Sequence, residues 1–269
     1  MATTSTPSNA DAFLSAVEAR RSLYKLTNKS PISDDRIHEI VATAIKHVPS
    51  TFNVQSARAV ILLREQHEKL WDIGERVLRE EMPPAVYASL APKVAGLRAA
   101  YGTVLWFEDE ASLDALKQKN PAIQSLVREW SDHSSGMHQF VVRISHLGCT
   151  VWTALEREGL GCNLQHYNFS ETFRKDVLET WNLPQTWNLR AQLVFGQPSA
   201  TSADGGLPER EKEKSFKPIE GERLLRYDTH SQMIGLCQCE LNMYVLYRER
   251  THEFNMGMLH YQLKYSVER

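Results

Sequence analysis

The stretch HQFVVRISHLGCTVWTALEREG, residues 138–159, constrains this chain more than any other. Phe140, Val141, Ile144, Leu147, Val151, Trp152 and Leu155 recur at spacings of three and four, the pattern of a long helix with one apolar face. Gly159 follows where a helix commonly closes on a left-handed residue. Such a stripe has to be buried, so residues 138–158 are expected to pack in the core or at an interface between two copies of the chain. His138 and His146, on or near the helix, read as packing or surface residues rather than ligands.

Other elements follow from punctuation and period. A helix is expected from Asp11, ending in ARRSLYKL, after a disordered stretch over residues 1–10. In SPISDDRIHEIVATAIKHV, Ser33 is the N-cap, acids follow it, and Ile37, Ile40, Val41, Ala44 and Ile45 form the stripe until Pro49 stops the helix. PSTFNVQS reads as a loop, ARAVILLR as a buried strand and Glu65–Glu81 as a helix. Pro83 and Pro84 break the chain before a helix over residues 85–100, and GTVLWFED is a second strand. SLDALKQ and PAIQSLVREW are short helical segments, ETFRKDVLETW is a helix and LRAQLVFGQP a closing strand. SADGGLPEREKEK has the composition of a solvated linker. Helices around a few strands, without a regular βαβα alternation, predict an α+β fold.

Charge narrows the function classes. The 269 residues carry a net charge of −2, with lysines and arginines dispersed, so no basic field points to nucleic acid and any phosphate site must be local. MATTSTPSNA does not read as a secretory signal, and no apolar run of about 20 residues exists to span a bilayer. Cys149, Cys162, Cys237 and Cys239 form no even framework, which fits a reducing compartment. A soluble intracellular protein is expected, in the cytoplasm with the nucleus as a second candidate, and with neither nucleic acid nor membrane as partner. Cys237-x-Cys239 lacks a second pair at ligand spacing, so no metal is expected.

Three segments carry residues suited to ligand chemistry. In ARRSLY, Arg20, Arg21 and Ser22 offer forked donors and a hydroxyl, which suit a phosphate dianion; taken alone, the segment reads more readily as a plain surface helix end whose cations complement the dipole. In PSTFNVQSAR, the amides of Asn53 and Gln55 both donate and accept, as the pyrimidine edge of a flat ring demands; an ordinary turn has the same composition. GLGCNLQHYN, residues 159–168, follows the long helix and admits three readings. A Cys162–His166 nucleophile needs a helical spacing that Gly161 and Asn163 oppose. A phosphate loop needs a glycine pattern and a preceding strand that are missing. A loop whose backbone amide approaches a ring needs only the close approach that glycine permits.

Together ARRSLY, PSTFNVQSAR, YGTVLWFED and VWTALEREGLGCNLQHYN followed by LRAQLVFGQP resemble the nitroreductase family of FMN-dependent oxidoreductases, and within it the fungal Frm2-like branch. The resemblance spans residues 11–227. It implies a homodimer with a nitroreductase-like α+β fold: a central, mostly antiparallel sheet surrounded by helices, with FMN at the subunit interface. The family's phosphate-binding arginine and serine fall on Arg20 and Ser22, with Arg21 between them. Its flavin-contacting asparagine falls on Asn53, with Gln55 beside it, and the segment whose backbone amide faces flavin N5 falls on Leu164, Gln165 and His166. A late basic residue that helps hold the phosphate falls on Lys214, with Lys212 as the rival. The resemblance also implies NAD(P)H as hydride donor, a ping-pong cycle, and a small electrophile such as a nitroaromatic or quinone as electron acceptor. The flavin itself carries the chemistry, so no catalytic acid or base is expected from the chain.

Departures accompany the resemblance. Tyr24 stands where many members carry a lysine beside the flavin's pyrimidine side, and PIEGER holds one extra residue near Lys214. Residues 228–269 resemble nothing in the family and read as an extension of unassigned role or a gene-model run-on; no function is placed there. The alternative to an enzyme is a flavin-binding regulator in lipid signalling or oxidative-stress responses, with little turnover.

Overall fold

A computed structural model describes residues 9–119, 136–168, 170–200, 207–208, 213–219 and 223–225. The chain divides into two compact units, Met1–Glu211 and Lys212–Arg269. This boundary falls ahead of the one expected after Tyr227. The expected segment PAIQSLVREW, most of the SADGGLPEREKEK linker, Lys212 and residues 228–269 lie outside the described residues.

The first unit runs α1 (Asn9–Ala19), β1 (Leu26–Thr27), α2 (Asp34–His47), a 3-10 turn (Thr51–Asn53), β2 (Ala57–Leu63), α3 (Glu65–Glu81), α4 (Pro84–Arg98), β3 (Gly102–Asp109), α5 (Glu110–Lys119), α6 (Gly136–Arg157), β4 (Gly161–Gln165), α7 (Glu171–Thr180) and β5 (Trp187–Pro198). Two expectations are corrected at the start. Helix α1 already includes Asn9 and Ala10, and it stops at Ala19, because the backbone that follows is drawn into pairing with β4. Local signals otherwise hold: Ser33 Oγ caps α2 by accepting the Arg36 N–H at 3.2 Å, and Ser170 Oγ caps α7 through the Phe173 N–H at 3.0 Å.

β5 is the spine of the sheet. β3 pairs with it from Gly102↔Phe195 to Asp109↔Trp187, and β4 pairs from Gly161↔Gly196 to Gln165↔Gln192. Phe195 has both Gly102 and Cys162 as partners, so β3 and β4 lie on opposite edges of β5. β2 extends the sheet beyond β3, and β1 adds to the end of β5 at Leu26↔Pro198. All strand pairs are antiparallel, which gives the expected α+β architecture. Helices cover both faces. α2 and α6 supply Ile37, Val41, Val151 and Leu155 to one core layer. α3, α4 and α7 supply Leu70, Trp71, Leu97, Phe173 and Val177 to the other.

Gly196 allows three strands to meet. A Cβ there would sit 2.5 Å from the Thr27 carbonyl oxygen and 3.0 Å from the Tyr101 nitrogen, both backbone atoms with no freedom to yield.

One polar network is buried between α3, α4 and β3. His67 has no exposed surface, with Nδ1 2.8 Å from Thr103 Oγ1 and Nε2 3.0 Å from the Leu97 carbonyl oxygen. The carbonyl can only accept, so Nε2 carries the proton and Nδ1 accepts from the threonine hydroxyl. Thr103 Oγ1 then accepts the Trp71 indole N–H at 3.2 Å. Every role is filled by the neutral ring, and desolvation lowers the His67 pKa to about 4. In the unfolded chain it titrates near 6.5. The unfolded chain therefore binds this proton more readily, and the stability from this site is complete above about pH 6.5 and is lost as pH falls toward about 4. Urea denaturation across that range is expected to show a loss of roughly 3 kcal/mol that is missing in His67→Gln.

Candidate functional site

The site begins where α6 closes. Gly159 has φ +85°, its N–H donates to Glu156 O at 3.1 Å, and the Leu160 N–H donates to Leu155 O at 3.0 Å. This pair of reversed bonds is a Schellman closure, for which a residue without Cβ is best suited. It directs the chain immediately into β4. The loop expected over GLGCNLQHYN is therefore corrected: its two ends are irregular, and Gly161–Gln165 is a strand. The alternation of Cys162 and Leu164 with Asn163 and Gln165 is the period-two signal for it, too short to weigh against two glycines and two asparagines.

The outer edge of β4 receives the ARRSLY segment. Ser22 pairs with Cys162 in parallel, and the Leu23 N–H donates to the Cys162 carbonyl at 2.9 Å. Asn163 Nδ2 donates to Leu23 O at 2.8 Å, and Gln165 Nε2 donates to Asn163 Oδ1 at 2.8 Å. Gly161 makes the approach feasible, since a Cβ there would lie 2.8 Å from Leu26 Cδ2 and 3.0 Å from Leu23 Cδ1. What the glycine admits is thus the chain of residues 23–26.

Strand geometry sorts the backbone donors along this edge. The N–H and C=O of one residue point to the same side and alternate from residue to residue. The Cys162 carbonyl points outward to Leu23, and the Tyr167 N–H points inward to Gln192 Oε1 at 2.7 Å. Within β4 Leu164 presents its backbone outward, while Gln165 faces its ladder partner Gln192; His166 follows the last residue of the strand. Of the three residues expected to face a ring, Leu164 and Gln165 lie in the strand and His166 just beyond its end. Ser22 and Tyr24 are exposed beside them, and Arg20 and Arg21 are half-buried.

Beneath Arg20 and Arg21 lies a carboxylate that sequence reading missed. Glu156, on α6, is 7% exposed. It accepts the Trp152 indole N–H at 2.8 Å and the Arg21 backbone N–H at 3.3 and 3.2 Å to its two oxygens. The Arg20 guanidinium lies 4.5 Å above the Trp152 ring centroid. Desolvation raises the Glu156 pKa, opposed by these hydrogen bonds and by the two arginine charges. The i, i+4 spacing of Trp152 and Glu156 was visible, but a single acid beside an apolar stripe reads as a helix flank.

Cys162 and His166 do not form a nucleophile and base. Cys162 is fully buried in the α2–α6 core layer, and desolvation and the Glu156 charge push its thiol pKa well up, away from thiolate. Partial desolvation lowers the His166 pKa and favours the neutral ring.

Asn53 and Gln55 lie elsewhere, at the entry to β2. Phe52, Asn53 and Gln55 have φ of 53°, 52° and 50°, a left-handed run in three non-glycine residues that costs strain. Several bonds hold it: Asn53 N–H to Ser50 O at 2.8 Å, Gln55 N–H to Ser50 Oγ at 3.0 Å, and Arg58 Nη1 to Gln55 O at 2.7 Å. Ser56 Oγ donates to Glu108 Oε1 at 3.0 Å, and Arg58 also pairs with the buried Asp109 at 2.7 Å. Gln55 Nε2 donates to Asn53 Oδ1 at 3.0 Å, joining the two amides. β2 and β4 are separated by β3 and β5, so their axes are roughly 14 Å apart at about 4.8 Å per strand. The structure brings residues 20–24 and 161–166 together and sets the Asn53–Gln55 turn across the sheet from them. Lys214 is half-buried in the second unit.

Among the described residues, no group of three or more His, Cys, Asp or Glu is placed to hold a metal ion, and no helix is long and apolar enough to cross a membrane.

Comparison with known proteins agrees with this architecture. A model of the nitroreductase family matches residues 17–197. The Saccharomyces cerevisiae nitroreductase FRM2 is 34% identical over 206 residues, covering 76% of this chain and 92% of that protein. HBN1 of the same yeast, also named as a nitroreductase, is 35% identical over 192 residues, covering 70% and 89%. Among solved structures, the nitroreductase CinD from Lactococcus lactis in complex with chloramphenicol has a TM-score of 0.61 and 31% identity, covering 80% of this chain and 100% of CinD. CinD has also been solved in complex with nicotinic acid and with 4-nitrophenol. The fold and these matches define an oxidoreductase built on a helix-covered antiparallel sheet. The chain belongs to the nitroreductase family, and its yeast relatives fit the Frm2-like branch that its motifs resemble.

Cys162→Ala is expected to cost about 1 kcal/mol of stability by urea denaturation. Its oxidoreductase rate should stay within about twofold of wild type, whereas loss of a nucleophile lowers rates by orders of magnitude.

Proposed function

We propose that this protein is an FMN-dependent NAD(P)H oxidoreductase, working as a homodimer, that reduces nitroaromatics, quinones or related electrophiles. The observation that carries this reading is the bonding of residues 22–23 to the outer edge of β4. It sets Arg20, Arg21 and Ser22 in the chain just ahead of the Leu23 backbone that bonds this edge, on the side to which Leu164 turns its own backbone. From Cys162 to His166 that edge runs roughly 13 Å at about 3.3 Å per residue. Its donor set suits a ligand with a phosphate at one end and a flat ring at the other: forked cations and a hydroxyl, then main-chain N–H groups.

The residues fit FMN in this sense. Arg20, Arg21 and Ser22 would hold the phosphate, and Tyr24 would flank the ring. A backbone N–H of the Leu164–His166 segment would hydrogen-bond the flavin ring. Asn53 and Gln55 recognise the pyrimidine edge. When bound, FMN supplies a reversible two-electron carrier between NAD(P)H and the acceptor. The chain's own work is to bind, orient and exclude water; neither Cys162 nor His166 has to transfer a proton. The complexes of CinD support the substrate class: chloramphenicol and 4-nitrophenol are nitroaromatics, and nicotinic acid carries the pyridine ring of a nicotinamide.

The same distances are compatible with the homodimer. With the Asn53–Gln55 turn across the sheet from residues 20–24 of its own chain, a second copy can bring its turn to the edge of the first.

The purified protein is expected to be yellow, with an FMN spectrum that bleaches on anaerobic addition of NADH or NADPH. A colourless protein that takes up no added FMN rejects the reading. A bound flavin that reduces nitroaromatics no faster than free FMN favours the flavin-binding regulator. The shared site has a separate test. An Arg20→Ala, Arg21→Ala variant and an Asn53→Ala, Gln55→Ala variant should each be inactive. Mixed and re-associated, they should regain activity, because one of the two sites in each mixed dimer is intact. No recovery from dimers shown to exchange subunits places all contacts within one chain.

A further inference from the structure

We propose that Glu156 is a positioning residue: by accepting the Arg21 backbone N–H, it sets the turn that presents Arg20, Arg21 and Ser22 to an anion. This inference rests on the FMN reading and names a residue outside the ligand contacts assigned there.

An acid beside a phosphate site is at first sight misplaced, since it repels the ligand and costs several kcal/mol to bury. Its geometry resolves the conflict. The carboxylate lies on the protein side of the segment, 7% exposed, with both oxygens within 3.3 Å of the Arg21 nitrogen. The Trp152 indole N–H, at 2.8 Å, holds Oε1 from the preceding turn of α6. Trp152 in turn supports the Arg20 guanidinium, 4.5 Å above its ring. One turn of one helix thereby grips two successive residues, the first by its side chain and the second by its backbone.

The next residue, Ser22, pairs with Cys162, so the segment is held by α6 on one side and β4 on the other. The helix that carries Glu156 reaches β4 through the tight Gly159 closure, which ties both supports to one rigid corner. The Arg21 N–H is spent on Glu156, so an anion here is met by the two guanidinium groups and the Ser22 hydroxyl. The role assigned to Glu156 is that of an acceptor at a fixed distance; its charge is incidental.

Two conservative variants separate acceptor from charge. Glu156→Gln keeps an acceptor oxygen at the same reach and removes the charge. Glu156→Asp keeps the charge and withdraws the acceptor by about 1.5 Å, one carbon–carbon bond. Titration of the flavin-free full-length protein with FMN and with riboflavin, which has the ring without the phosphate, gives the ratio of the two affinities. Glu156→Gln is expected to hold this ratio within threefold of wild type, and Glu156→Asp to lower it at least tenfold. Unchanged ratios in both variants overturn the inference. So does a ratio lowered in Glu156→Gln, whether or not Glu156→Asp follows it. A wild-type protein that binds neither flavin overturns the FMN reading and this inference with it. One that binds FMN while the variants behave otherwise overturns this inference alone.

Discussion

The two-sided pairing of β4 is the constraint on which the candidate site depends. One edge of the strand is committed to β5, through five residues from Gly161 to Gln165. The other edge takes up the backbone of residues 22–23, far away in sequence. A backbone group buried at a sheet edge must find a partner, so the N-terminal segment is held by the same rule that builds the sheet. Gly161 makes this possible by leaving Leu23 and Leu26 room to approach. The cations of ARRSLY and the outward amides beyond Cys162 share an edge because a strand with one free side was available.

The buried polar groups follow a consistent logic. His67 is neutral and fully bonded within the α3–α4 layer, where it contributes to packing. Glu156 is surrounded by donors and lies beneath the candidate site. Asp109 accepts from Arg58, Ser112 and Thr186, and it anchors the strand end next to the strained Asn53–Gln55 turn. The latter two carboxylates support segments whose backbone cannot satisfy itself in regular structure. Burying an acid is costly, and here it accompanies irregular backbone that must keep one shape.

Much of this was legible locally. The Leu147–Leu155 half of the α6 stripe, the Ser33 cap, the Gly159 closure and the strands ARAVILLR, GTVLWFED and LRAQLVFGQP each carry their signal within a few residues, and each formed where expected; the side chains of Phe140, Val141 and Ile144 lie outside the described residues. ARRSLY and GLGCNLQHYN were likewise recognisable as segments able to handle a ligand. β4 was not, because five residues of alternation compete poorly with glycine and asparagine, and its stability comes from β5 about thirty residues away. Glu156 was not, because its role depends on Arg21, 135 positions off in sequence. The end of α1 was misjudged for the same reason: pairing with Cys162 outweighed the helical preference of the residues after Ala19.

The sequence by itself determined the helices and the long strands, the family and the inventory of donors, because helical period, capping and motif order are short-range properties. Only the tertiary structure decided which donors share an edge and which backbone amides point outward. It also decided that Cys162 is buried while Arg20 and Arg21 rest on Trp152 and Glu156. Those facts depend on strand register and on helix–strand contact, and both are set by long-range pairing that no local pattern specifies.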